Sequence, residues 1–216
     1  MDDRLRVGVL ISGRGSNLQA LLDACADPDF PARIVCVLSN VADAYGLQRA
    51  ARAGVPTVVV SHRDYPNRKA FDAAMNDALD KFDVEFLCLA GFMRILDGQF
   101  VARWRDRLIN IHPSLLPSFP GLDTHQRALD LGVKVAGCTV HFVRADVDAG
   151  PIIAQATVPV LQGDDADALA ARVLVKEHEI YPRALRLCAE GRVTIEVDRA
   201  VIDAPGDSSG NLDDLA

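Results

Sequence analysis

The sequence lacks any hydrophobic run that approaches the roughly 18 residues of a membrane-spanning helix. Its start, MDDRLRVGVLIS, lacks the basic segment, apolar stretch and small-residue cleavage site of a secretory signal, so we interpret it as leading into a first strand. The sequence also lacks a basic stripe of the kind that binds nucleic acid. We therefore expect a cytoplasmic globular protein without membrane or nucleic-acid partners.

The five cysteines are too dispersed to form a metal or disulfide pattern. No CxxC pair and no Cys/His cluster joins Cys25, Cys36, Cys88, Cys138 and Cys188. The spacing therefore predicts neither a zinc site nor a disulfide framework, and we expect no metal cofactor. Most of these thiols lie in apolar surroundings, which is typical of small core residues in a reducing compartment.

Apolar runs alternate with amphipathic segments over the first hundred residues, which predicts a mainly parallel sheet covered on both sides by helices. The expected fold class is α/β, a three-layer, mostly parallel doubly wound sheet that is Rossmann-like in its N-terminal half and has antiparallel strands in its C-terminal half. The predicted strands are 5–12, 34–38, 57–60, 84–90, 107–111, 135–143, 152–160 and 193–197. The predicted helices are 16–26, 43–53, 67–81, 123–131 and 164–190, the last with a kink at Pro182.

The domain organisation follows from composition. No repeat, linker or compositional break interrupts residues 1–202, so we expect one domain with a continuous sheet. Six acidic residues lie from Glu196 onward, and the segment 203–216, DAPGDSSGNLDDLA, is small, polar and acidic. We predict that this tail is disordered and has no catalytic part.

The segment INIHPSLLPSFPG, residues 109–121, places two polar side chains at the end of an apolar run. Asn110 and His112 are two residues apart, so a strand presents both on one face. Pro113 ends ladder pairing, and the later prolines favour an extended loop. A carboxamide and an imidazole thus meet where a strand becomes a rigid loop, although a satisfied polar pair would leave the same pattern.

The loop SGRGSN, residues 12–17, joins the first predicted strand to the first helix. Gly13 and Gly15 allow close approach of a ligand to the backbone. Ser16 and Asn17 begin the helix, whose free N–H groups and positive dipole end attract an anion such as a phosphate. The loop matches neither a Walker motif nor a clear GxGxxG motif. A tight turn without a ligand remains the alternative.

Five further polar residues have ordinary structural interpretations by spacing alone. Asp148 lies in the turn DVDAGPII with Asp146 as a competing acid, and such aspartates often bond their own backbone. His141, within TVHFV, fits an inward-facing, satisfied histidine. Arg68 fits a solvated residue of a first helical turn, and Glu177 fits a solvent-facing charge in mid-helix.

Several motifs in order give the chain a specific resemblance over residues 5–197. The motifs are VLISGRGSNLQAL, LAGFMRIL at 89–96, INIHPSLLPSFPG at 109–121, TVHFV at 139–143, DVDAGPII at 146–153 and KEHEIYP at 176–182. The chain resembles the folate-dependent formyltransferases. Relatives that act on methionyl-tRNA carry a further C-terminal domain, and formyltetrahydrofolate hydrolases usually carry an N-terminal regulatory domain, so we expect neither type.

The resemblance implies transfer of the formyl group of 10-formyltetrahydrofolate to the amine of glycinamide ribonucleotide in de novo purine biosynthesis, through a tetrahedral intermediate. The folate is a co-substrate, no metal is needed, and the partners are small molecules. The amine is the nucleophile, which agrees with the lack of a plausible Ser, Cys or Lys nucleophile. The alternatives are another amine acceptor, or water in a formyltetrahydrofolate hydrolase. The resemblance leaves a homodimer open.

The resemblance also implies roles for individual residues. Asn110 and His112 stabilise the oxyanion, His112 helps to move the proton, and Asp148 holds the imidazole. The residues implied in ribonucleotide binding are Gly15, Ser16, Asn17, Arg68 and Glu177. The residues implied in folate binding are Met93, Arg94, Ile95, Leu96, Asn110 and His141, although the pattern alone favours Met93 and Leu96 as core. One departure is Asp123, where family members often have histidine.

Overall fold

The structure is a computed structural model that describes residues 3–203. The predicted tail therefore lies outside the described residues, apart from Asp203. The strands are β1 (Leu5–Ile11), β2 (Ala32–Ser39), β3 (Thr57–Val59), β4 (Phe86–Leu89), β5 (Leu108–His112), β6 (Val135–Phe142), β7 (Ile152–Pro159), β8 (Val193–Glu196) and β9 (Arg199–Ile202). The helices are α1 (Ser16–Cys25), α2 (Tyr45–Arg52), α3 (Arg68–Asp80), α4 (Gly98–Arg103), α5 (Thr124–Asp130) and α6 (Ala166–Ala189), with a 3₁₀ turn at His62–Asp64.

Seven strands form the main sheet in the order β3-β2-β1-β4-β5-β6-β7. The pairings from β3 to β5 are parallel, and β6 and β7 are antiparallel to their neighbours. This confirms the predicted fold class. The strand order reverses between β1 and β4, and a reversal of this kind opens a crevice at the carboxyl ends of the strands.

Two apolar cores cover the faces of the sheet. Helices α1, α2, α5 and α6 pack on one face, and α3 and α4 pack on the other. Strand β5 shows how a strand divides its side chains between the faces. Ile109 and Ile111 enter the first core, whereas Leu108 enters the second. Asn110 and His112 therefore share the face of Leu108, as their spacing predicts.

Helix α4 and strand β9 were not predicted, whereas strand β8 matches the strand predicted at 193–197. Helix α4 has six residues, and the Asp97 carboxylate caps it by accepting the Phe100 N–H at 2.8 Å. Strands β8 and β9 form a separate antiparallel hairpin, so the prediction of one continuous sheet is wrong for the last strand. Helix α6 runs through Pro182 as a single helix. Within residues 3–203, no helix is both long and apolar enough to cross a bilayer.

Candidate active site

The loop 12–17 lies at the strand-order reversal and depends on close backbone packing. Gly15 has a φ of 69° and precedes α1, a conformation that favours glycine. A Cβ atom at Gly15 would lie 2.7 Å from the Cα of Gly46 on α2. The Gly46 N–H also donates to the Gly13 carbonyl at 3.0 Å. Helix α2 thus supports the loop from behind, while the first N–H groups of α1 stay free for a ligand.

A cavity of about 230 Å³ opens in front of this loop. It includes the predicted ribonucleotide positions Gly15, Ser16 and Asn17 and one predicted folate position, Met93. The remaining lining residues are Ser12, Gly13, Arg14, Ala90 and Gly91. Because Ala90 and Gly91 follow β4, the cavity lies between the ends of β1 and β4, at the crevice that the strand order creates.

Glu177 joins α6 to this loop. Its side chain is buried, and the carboxylate accepts a hydrogen bond from Asn17 Nδ2 at 2.6 Å. Burial raises the pKa of Glu177 above its usual range, and the bond from Asn17 opposes that shift. The interpretation of Glu177 as a solvent-facing charge is therefore wrong. Arg68, by contrast, is exposed at the start of α3 and does not line the cavity.

Asn110 and His141 face each other across the antiparallel pair β5 and β6. Asn110 Nδ2 lies 3.3 Å from His141 Nε2, and His141 Nδ1 lies 2.9 Å from the Phe142 carbonyl oxygen. A neutral ring with its proton on Nδ1 satisfies both contacts, because Nε2 can then accept from the amide. Burial lowers the pKa of His141, which favours this neutral form.

His112 has a different environment, because both of its ring nitrogens face oxygen atoms. Nε2 lies 3.0 Å from the Phe119 carbonyl oxygen, and Nδ1 lies 3.4 Å from Asp148 Oδ2. The same Asp148 oxygen accepts the Gly121 N–H at 2.8 Å, and its other oxygen lies 3.8 Å from His141 Nε2. Only a doubly protonated His112 ring can donate to both neighbours. The Asp148 carboxylate thus lies close to both histidine rings.

The β4–α4 loop, residues 90–97, carries the predicted folate positions. Met93, Arg94 and Ile95 are exposed and Leu96 is half-buried, so the interpretation of Met93 as a core residue is wrong. The loop is tied to the first loop by Ser12. The Met93 N–H donates to Ser12 Oγ at 2.8 Å, and the Ser12 N–H donates to the Gly91 carbonyl at 3.1 Å.

Comparison with known proteins identifies the family to which the chain belongs. A family model described as formyl transferase matches residues 5–185. The chain belongs to the formyl transferase family. The phosphoribosylglycinamide formyltransferase of Escherichia coli (strain K12) is 45% identical over 199 residues, which are 92% of this chain and 94% of that protein. The crystal structure of glycinamide ribonucleotide transformylase 1 from Symbiobacterium toebii superposes with a TM-score of 0.91 and 54% identity, covering 94% of this chain and 95% of that one.

Longer proteins also contain this formyl transferase unit. The trifunctional purine biosynthetic protein adenosine-3 of Bos taurus is 54% identical over 192 residues, which are 89% of this chain and 19% of that protein. The chain therefore spans about a fifth of the length of that relative.

Three residues that support the formyl transferase site were missed from sequence. Ser12 ties two loops, Gly46 packs on Gly15, and Arg49 Nε donates to the Arg14 carbonyl at 3.0 Å. Only Ser12 had a local signal, because it begins the glycine loop. Within residues 3–203, no group of three or more His, Cys, Asp or Glu residues is arranged to hold a metal ion. Asp123 is exposed at the start of α5, and its side chain does not cap that helix.

Proposed function

We propose that this formyl transferase moves the formyl group of 10-formyltetrahydrofolate to the amine of glycinamide ribonucleotide in de novo purine biosynthesis. The observation that carries the proposal is the linked set beside the cavity of loop 12–17, in which Asn110 contacts His141 and the Asp148 carboxylate lies between His141 and His112. Asn110 pairs with Leu89, and the next residue, Ala90, lines that cavity. The name of the near full-length relative of Escherichia coli, phosphoribosylglycinamide formyltransferase, supports formyl transfer to this acceptor. In this proposal residues 1–202 act as a single domain.

The ribonucleotide phosphate binds at the N-terminus of α1. The free N–H groups of Ser16 and Asn17 and the positive end of the helix dipole favour an anion there. Gly15 lets the phosphate approach the backbone. Glu177 is held beside this position by Asn17 and accepts hydrogen bonds from the ribose hydroxyls. Arg68 contacts the same substrate from the edge of the crevice, where its exposed side chain is free to turn inward.

The folate binds on the opposite side of the crevice. Backbone groups of residues 93–96 hydrogen-bond the edge of the pterin ring, and the side chains of Met93, Ile95 and Leu96 cover its faces. The exposure of Met93 and Ile95 supports this role, since exposed apolar side chains on one loop offer a surface for a flat, partly apolar ring. Arg94 and His141 complete the folate side.

The chemistry begins when the ribonucleotide amine attacks the formyl carbon. Negative charge then develops on the formyl oxygen, and preorganised donors stabilise it. Asn110 has two amide N–H groups, and His141 accepts only one of them, so the other can donate to the oxyanion. The bond to His141 also fixes the direction of the amide. As the intermediate collapses, the C–N bond to the folate breaks, the amine loses a proton and the folate nitrogen gains one.

His112 supplies the second donor and helps to carry the proton. Asp148 faces its Nδ1 and stabilises the protonated ring. In the structure His112 Nε2 donates to the Phe119 carbonyl. For Nε2 to donate to the oxyanion instead, the ring must release Phe119, so we expect loop 113–121 to shift when substrates bind.

A kinetic assay tests the proposal. Purified protein is mixed with 10-formyltetrahydrofolate with and without glycinamide ribonucleotide, and both formyl transfer and hydrolysis are measured. Transfer to the ribonucleotide should dominate. Hydrolysis at the same rate without the ribonucleotide would instead favour the deformylase alternative, and transfer to a different amine would change the acceptor.

Two variants test the assignment of the donors. Asn110→Ala and His112→Ala should each lower kcat by about 10²–10³-fold, because each removes a donor to the oxyanion. Circular dichroism should show that both variants fold. Near wild-type turnover in both would overturn the assignment. A cytoplasmic location stays a prediction from sequence, and the resemblance still leaves a homodimer open.

A further inference from the structure

Asp72 is a buried carboxyl group that the proposed chemistry does not use. It lies on α3 with 2% of its surface exposed. Its Oδ2 accepts the Asp97 N–H at 2.6 Å, but its Oδ1 is inaccessible and has no hydrogen-bond partner among the described residues. Burial raises the pKa of Asp72 to about 6. Such a group destabilises a fold, so its presence suggests a functional reason.

The surroundings of Asp72 connect the two substrate sides. Against the dominant effect of burial, the bond from the Asp97 N–H and the charges of Arg68 and Arg94 lower the pKa of Asp72, whereas the charge of Asp97, which ends the β4–α4 loop, raises it. Arg68 lies one turn earlier on α3 and is a proposed ribonucleotide contact. Arg94 lies within the β4–α4 loop and is a proposed folate contact. The carboxyl group of Asp72 therefore interacts electrostatically with one proposed ribonucleotide contact and one proposed folate contact.

The β4–α4 loop is anchored at two points. Ser12 Oγ accepts the Met93 N–H, and Asp72 accepts the Asp97 N–H. Between these points Met93 is 67% and Ile95 is 58% exposed, whereas Leu96 packs in part against the core around α3. The backbone path of residues 93–95 thus depends mainly on the anchors on either side. Removing the second anchor should loosen the surface on which the folate ring rests.

We propose that Asp72 is a positioning residue that holds the β4–α4 loop against α3 and so shapes the folate subsite. The inference rests on the proposed function, because it assigns the folate to this loop. The ionised carboxylate is the effective form, since a charged acceptor makes a stronger bond to the Asp97 N–H than a neutral one.

The test compares Asp72→Asn with Asp77→Asn, the same change at an exposed aspartate of the same helix. In Asp72→Asn, the KM for 10-formyltetrahydrofolate and the Kd of a non-reactive deazafolate should rise roughly fivefold, and Asp72→Ala should raise them by about tenfold or more. The KM for glycinamide ribonucleotide should stay within about twofold in Asp72→Asn. Asp77→Asn should match wild type. The Tm of Asp72→Asn should be unchanged or higher, because the substitution removes a buried charge.

The pH dependence separates positioning from a purely structural role. As the pH falls from about 7.5 to about 5, wild type and Asp77→Asn should lose deazafolate affinity, because Asp72 gains a proton in both proteins. Asp72→Asn has no such carboxyl group, so this part of the loss of affinity should be absent from its pH profile. Identical pH profiles and Kd values in Asp72→Asn and Asp77→Asn would overturn the inference and leave the proposed function intact. Equal rises in both KM values with a lower Tm would also overturn it. A wild type that neither binds deazafolate nor transfers formyl groups would overturn the proposed function, and the inference with it.

Discussion

The glycine loop and the end of β5 contribute to one crevice but are built in different ways. Loop 12–17 is contiguous in sequence and presents backbone N–H groups, and its main requirement is the tight packing of Gly15 on Gly46. The end of β5 is assembled from side chains of β5, β6 and the turn before β7, which meet only after the sheet has formed. In the proposed function, phosphate binding would thus be specified by a short segment, whereas catalysis would need residues that are distant in sequence.

The two regions also differ in the kind of energy that they use. At the loop, close packing determines the structure, because a single methyl group would collide with a neighbouring backbone. At the end of β5, hydrogen bonds and charge are the determining factors, because the Asp148 carboxylate lies 3.4 Å from His112 Nδ1 and 3.8 Å from His141 Nε2. Changes at the loop should therefore alter stability and ribonucleotide binding, and changes at the β5 end should alter turnover.

Among substitutions that keep the shape of a site residue, Asp148→Asn should have the largest effect, because it removes the charge of the side chain. The amide cannot stabilise a protonated His112, so kcat should fall by about 10²-fold or more, while the Tm changes little. The matched control is Asp146→Asn, an exposed residue of the same turn, which should stay near wild type. Steady-state kinetics measures both. Equal losses in the two variants would show that the turn as a whole, and not the Asp148 carboxylate, matters.

Gly15→Ala should lower turnover less than Asp148→Asn does, but it should lower stability more. The new Cβ would meet Gly46 at 2.7 Å in a left-handed backbone conformation, so the free energy of unfolding should fall by about 1–3 kcal/mol. Displacement of the loop should raise the KM for glycinamide ribonucleotide roughly tenfold.

Gly13→Ala is the control for this change, because a Cβ there meets nothing within 4 Å. Its Tm, measured by calorimetry, should equal that of wild type. If Gly15→Ala keeps the wild-type Tm as well, close packing does not determine the structure of the loop. The proposed difference between the loop and the end of β5 would then be wrong.

The fold was predictable where strands are buried on both faces. Strands β1, β2, β4 and β5 leave continuous apolar runs, and the alternation with amphipathic helices fixes a parallel arrangement. Helix α4 and strand β9 left no comparable signal, because the first has only six residues and the second has four residues that are only partly buried. Short elements are held by capping and by contacts with distant residues, which a single sequence does not display.

The site was predictable in part. The two-residue spacing placed Asn110 and His112 on one face, but their contacts with His141 and Asp148 depend on the register of β5 and β6 and on the following turn. Glu177 was misinterpreted by spacing because its burial comes from the packing of α6 on α1. Asp72 did have a signal, since it adjoins Phe71 and precedes Met75 on the apolar side of α3.

The smallest effect should come from Glu177→Gln, which probes the point where the loop meets a buried charge. Glutamine can still accept from Asn17, so the KM for glycinamide ribonucleotide should rise only severalfold. The folded-state pKa of Glu177 is raised above 4.5, so the unfolded chain releases this proton at a lower pH than the folded one. Wild type therefore loses stability as the pH rises from the unfolded pKa through the folded pKa.

Glu177→Gln lacks this titration. Its free energy of unfolding at neutral pH should equal or exceed that of wild type by about 1 kcal/mol, and the difference should shrink as the pH falls through the raised folded pKa toward the unfolded pKa of about 4.5. Glu179→Gln on the same helix is the control, because its exposed pair with Lys176 contributes little. Denaturant titrations over this pH range measure both variants. A stability difference that grew on acidification would mean that Glu177 is stabilised as a carboxylate, and that charge matters at the loop as it does at the end of β5.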